Sequence, residues 1–208
     1  MKEEQSVEDY LQRAVSLHNF ILERYPVGTY KSDRRNTLFV SLCDLALEHF
    51  GAIISLTKSG QHTGSAFALL RPLIETSVRA YWVRFVADDG LLASILRYKA
   101  TFPDMERAAK QVEKHFAKQS YPGLFSLKKA ALRQLHGFTH SGLVQLQFRF
   151  GADLTVKPTY PDSAIRNLIR EASMWTATAA IAQLLLVEGE NEPESNRFSK
   201  RYIELFGN

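Results

Sequence analysis

The stretch RQLHGFTHSG, Arg133 to Gly142, places one guanidinium and two imidazoles in a single segment of helical spacing. Arg133, His136 and His140 stand at i, i+3 and i+7, so a helix carries them on one face, with Lys129 one turn earlier. Such a stripe suits a phosphate. An imidazole can move a proton near neutrality, and a guanidinium fork can stabilise a developing phosphorane. That is the chemistry of metal-independent RNA cleavage by the neighbouring 2′-hydroxyl. The same residues also read as a helix end with favourable C-terminal cations and a core histidine. A third reading is a metal site. His136 and His140, at i and i+4, have the spacing of a zinc helix, and Glu75 is the obvious third ligand. The glutamate that a metalloprotease carries directly after its first histidine is absent, because Gly137 stands there.

A second constellation lies in ALLRPLIETSVRAYWVR. Spacings of four put Arg71, Glu75 and Arg79 on one helical face. Their apolar neighbours imply that much of this helix is buried, and buried charges must be paired. The triad is either an Arg–Glu–Arg network that stitches helices together or an anion-binding wall in which Glu75 orients an arginine or a histidine. Tyr81 and Trp82 sit mid-helix among apolar residues and read as core. The chain has no glycine-rich phosphate loop and no G-x-S-x-G nucleophile elbow.

The elements that must position these groups read as helices. Ser6 and Asp9 form a capping-box signature ahead of VEDYLQRAVSLHNFILERY, which Pro26 and Gly28 end. Asp33 caps a second helix to about Lys58, and Gly60 stops it. A third runs from Thr63 to about Val86, with a kink or restart expected at Pro72. A shorter helix spans Gly90 to Ala100, and a polar, exposed one Asp104 to Lys118. Ser126 caps SLKKAALRQLHGFTH. LVQLQFRF alternates as a strand would, which allows one small β-hairpin near 143–157, or it is a frayed continuation of the helix before it. Asp162 opens a long helix to about Val187. NEPESNRF reads as a polar break before a short amphipathic end. The fold expected is an all-α, single-domain helical bundle over 1–208, with its core at about 6–188 and a polar tail at 189–208.

Composition agrees with one globular domain: 208 residues, 45% hydrophobic and 23% charged. A net charge of +4 permits an anionic partner without demanding one. Cys43, the single cysteine, cannot form an internal disulfide and reads as a small buried hydrophobe. MKEEQSVEDY is not a signal-peptide pattern. The longest apolar run, Ala172 to Val187, is short of a bilayer span. We therefore expect a cytoplasmic protein with no membrane association and no metal or other cofactor.

RPLIETSVRAYW, from Arg71, and LHGFTHSG, from Leu135, together resemble a family of uncharacterised bacterial helical proteins. The resemblance extends through QLQFR and KPTYP and covers roughly residues 35–190. More distantly, Arg133 to His140 resembles the R-x(4–6)-H motif of the HEPN superfamily. That resemblance implies a helical, HEPN-like bundle, a homodimer, and RNase activity of the kind found in toxin–antitoxin and phage-defence systems. Carried over, Arg133 stabilises the phosphate and His140 is the general acid or base, with His136 beside it and Arg71, Glu75, Arg79 and Lys129 in support. RNA is then the partner, together with a protein encoded nearby. The alternative is a non-enzymatic helical interaction protein, an antitoxin or sensor subunit, in which the same residues form a structural network.

Overall fold

Local chemistry sets the helix ends. Ser6 and Asp9 form the reciprocal capping box: Ser6 N–H donates to Asp9 Oδ2 at 2.9 Å and Asp9 N–H to Ser6 Oγ at 3.1 Å. The paired Ser6 hydrogen bonds hold the Asp9 carboxyl below its ordinary pKa. This box opens α1, Val7–Arg24. Asp33 caps α2, Arg34–Ser59, by accepting from Asn36 N–H, and Gly60 closes it in the left-handed region at φ 67°. The structure is a computed structural model that describes residues 5–24, 31–117, 135–140, 142–150, 155–188 and 193–207. The stop at Pro26 and Gly28 and the cap at Ser126 lie outside these residues.

Helix α3 runs unbroken over Thr63–Phe85 with Pro72 inside it, so of the kink or restart expected there, no restart occurs. Asp88 caps α4, Asp89–Leu96, which ends earlier than Ala100. The stop is a Schellman turn. Lys99 N–H donates to Ser94 O and Tyr98 N–H to Ile95 O, with Tyr98 left-handed at φ 57°. A side chain there costs about 1 kcal/mol, yet Tyr98 is 98% exposed. Helix α5, Met105–Ala117, is amphipathic rather than exposed throughout: Met105, Ala108, Ala109 and Val112 are buried against the bundle.

Residues 135–139 form the described part of α6. Of the two readings of LVQLQFRF, the helical one holds over its first five residues. Leu143–Gln147 is a helical turn, α7, and one antiparallel bridge, Phe150 with Val156, is what the described residues show of the hairpin. An isolated strand would have no sheet to satisfy its backbone, and local i→i−3 and i→i−4 bonds to Gly142 O satisfy it instead. Helix α8 spans Asp162–Glu188, and α9 spans Pro193–Phe206. The C-terminal segment is thus not merely a polar tail. Tyr202, Leu205 and Phe206 pack on the core, and Arg13 donates to Leu205 O at 3.0 Å.

Helices α2 and α3 pair along their length, and α8 packs across both and against α1. Phe39, Phe50, Leu17, Ile21, Ile53 and Leu73 are completely buried between them. Each contributes about 1.5–3 kcal/mol of apolar transfer energy. Alanines on α8 let α3 approach closely enough for Tyr81 Oη to donate to Thr178 O at 3.0 Å. Trp82 Nε1 donates to Gln111 Oε1 at 2.6 Å, which ties α3 to α5. Both aromatics are core residues, as their neighbours implied. So is Cys43, whose buried thiol has its pKa pushed up by desolvation. Helix α2 is long and apolar enough to cross a membrane by length and composition. One of its faces is buried in the bundle, and the other exposes Asp44, Glu48 and Lys58.

Candidate functional site

Pro72 carries no N–H, so the carbonyl of Ala68 loses its normal partner in α3. Thr139 Oγ1 of α6 lies 3.4 Å from that carbonyl and 3.0 Å from Leu135 O. The proline's missing donor thereby becomes a docking point for the T-H segment. Aromatic stacking fixes the same contact. Phe138 lies on Phe67 with ring centroids 4.7 Å apart, and Phe148 and Tyr160 stack beside them. Gly64 makes room for this cluster, since a Cβ there would stand 2.6 Å from the Tyr160 hydroxyl.

This docking brings the two constellations together. Arg71 Nη1 lies 2.6 Å from His136 Nδ1. A guanidinium cannot accept, so Nδ1 must, which leaves the ring proton of His136 on Nε2. Arg71 Nε donates to Glu75 Oε1 at 3.3 Å, and Arg79 Nη1 lies 3.7 Å from Glu75 Oε2. The side chains of Arg71, Glu75 and Arg79 are 23%, 22% and 28% exposed, and the Arg79 guanidinium sits over the Phe102 ring. The His140 ring is 4.3 Å from that of His136, centroid to centroid, and both are exposed. Five of the seven residues singled out from the sequence therefore form one continuous cluster: His140, His136, Arg71, Glu75 and Arg79. Arg133 and Lys129 lie outside the described residues.

The cluster offers two exposed imidazoles, one of them oriented by a guanidinium, and a formal net charge of +1 from two arginines against one carboxylate (+2 − 1), counting histidine as neutral. It can bind an anion and can accept or donate a proton beside it. Glu75 turns to the two arginines rather than to the histidines. Among the described residues no three His, Cys, Asp or Glu side chains stand close enough to hold a metal ion.

Sequence spacing grouped each helix's residues but missed Thr139, Pro72 and Phe138 as parts that dock them. The signal available was a proline in the middle of an amphipathic helix, which announces an orphan carbonyl.

Fold and site together define an all-α bundle with an Arg–Glu–Arg ladder facing a histidine pair. The chain belongs to a family of unknown function (DUF6988), whose sequence profile matches residues 43–206. The match continues past residue 190 to the end of α9. No curated protein and no solved structure matches the chain.

Proposed function

We propose that the protein is a HEPN-like, metal-independent endoribonuclease of a toxin or phage-defence system, acting in the cytoplasm. The observation that carries the reading is the exposed His140 ring beside His136, itself held by Arg71 at 2.6 Å. In this mechanism His140 takes the proton of a ribose 2′-hydroxyl. The 2′-oxygen attacks the adjacent phosphorus, the bond to the 5′-oxygen breaks, and the imidazolium of His140 returns its proton to that oxygen. The products are a 2′,3′-cyclic phosphate and a 5′-hydroxyl. Arg71 and the Nε2–H of His136 stabilise the charge that builds on the non-bridging oxygens. Arg71 thus takes, from a neighbouring helix, the part that the R-x6-H spacing gives to Arg133. Exposed Leu143, Leu146, Phe150 and Val156 follow the histidine pair in the chain and supply apolar area that a homodimer would cover.

The second reading is a non-enzymatic interaction protein. It is favoured by the Arg71–Glu75–Arg79 ladder, which is three-quarters buried and paired within the chain. Cleavage of several RNA pools in EDTA separates the two. Wild type should cleave, and His140→Ala and Arg71→Ala, with folding confirmed by circular dichroism, should lose about 10²-fold or more. No cleavage by the wild type gives the site to the interaction reading.

A further inference from the structure

The cluster does not end at Arg79. Phe102, whose ring centroid is 5.5 Å from the Arg79 guanidinium carbon, also meets Trp82 at 6.3 Å, and Trp82 bonds Gln111 of α5. Gln111 is part of the wall of a groove of about 470 Å³, lined by Asp104, Glu106, Arg107, Lys110, Gln111 and Lys114. This groove lies on α5, away from the histidine pair but joined to it through these contacts.

Its charges are unevenly committed. Asp104 caps α5 by accepting from Arg107 N–H at 2.9 Å, and Glu106 accepts from Lys110 Nζ at 2.7 Å. Both carboxylates are therefore engaged. Arg107 and Lys114 are exposed and have no ion-pair partner among the described residues. They stand at i and i+7, on one face and about 10 Å apart along the helix axis.

We propose that this groove binds the single-stranded extension of the RNA substrate, with backbone phosphates on Arg107 and Lys114. The proposal rests on the nuclease reading for the identity of the strand. A phosphodiester chain suits two spaced cations that no carboxylate engages among the described residues.

The probe is a fluorescein-labelled, 2′-O-methylated twelve-nucleotide RNA, which lacks the attacking hydroxyl and cannot be cleaved. Binding is followed by anisotropy over a range of salt. Wild type should bind, and Arg107→Glu/Lys114→Glu should bind about tenfold more weakly or worse. The double variant should also lose about 1.4 from the slope of log affinity against log salt, two phosphates at about 0.7 each. Lys58→Glu/Lys200→Glu, the same change of net charge on α2 and α9, should stay within about twofold of wild type. Equal affinity and slope for the α5 variant and wild type overturn the proposal, as does no binding by wild type. Binding of poly-glutamate in place of RNA also overturns it and makes the groove a protein-docking surface. Cleavage by wild type with an α5 variant of unchanged affinity sinks this inference and leaves the nuclease standing. Binding that maps to α5 without any cleavage does the reverse.

Discussion

Two pairs of histidines in this chain are put to opposite uses. His18 lies where α1 meets α2, and His49 is a partly buried residue of α2. The His18 ring packs edge-on against Phe50 at 5.8 Å, and Gly51 leaves it room, since a Cβ there would come within 3.1 Å of its Nε2. Burial pushes the pKa of both rings below the ordinary histidine value, with Glu48 opposing the shift at His49. His136 and His140 are exposed and adjacent, and His136 is tied to the Arg71 guanidinium. The residue type is the same. Partial burial desolvates the first pair, with the His18 ring packed on Phe50, whereas exposure beside a fixed cation leaves the second pair within reach of a ligand.

The largest effect that separates the pairs is on cleavage. His140→Ala should lower the rate by about 10²-fold or more while the melting temperature moves by no more than about 2 °C. A His140→Ala protein that melts far below wild type would place this pair with the structural one. Next comes Glu75→Ala, which strips the shared carboxylate from two largely buried guanidinium groups. It should cost about 2 kcal/mol in urea unfolding, and a neutral result would mean that Arg71 and Arg79 are satisfied elsewhere. Thr139→Val keeps the shape and removes the hydroxyl whose one proton is shared between the Leu135 and Ala68 carbonyls. A loss of about 1 kcal/mol is expected, with cleavage falling because the histidines lose their register. Unchanged stability and rate would show that the aromatic stack alone docks α6.

The smallest effect is a pH slope. Because the folded pKa values of His18 and His49 lie below the unfolded value of 6.5, their contribution is complete above about pH 6.5. It is lost as pH falls through the folded values, since the unfolded chain takes up protons first. His18→Gln should flatten the stability profile below pH 6.5 in urea titrations. A profile as steep as wild type would assign the slope to other groups.

Helix α2 was legible almost to the residue, because Asp33 and Gly60 act on their own neighbours. The faces of α3 were legible for the same reason, and Arg71, Glu75 and Arg79 do form one ladder. LVQLQFRF leaves strand and helix both open, because alternation reports a pattern, not the presence of a sheet to pair with. Residues 191–198 read as a polar break and RYIELF as a short amphipathic end, yet 193–206 form one helix. Their amphipathic face gains its meaning only from Tyr10 and the other core residues it packs against.

The sequence by itself determined that the chain is helical, where most described helices start and stop, and which charged residues share a face. Those are matters of 3.6-residue periodicity and of side chains bonding backbone a few positions away. Only the tertiary structure decided that the Arg71 face meets His136, 65 positions further along. That meeting depends on an orphan carbonyl at Ala68, a hydroxyl at Thr139 and the stacking of Phe67 on Phe138. Each is a long-range contact whose partners carry no mark of one another until the helices pack.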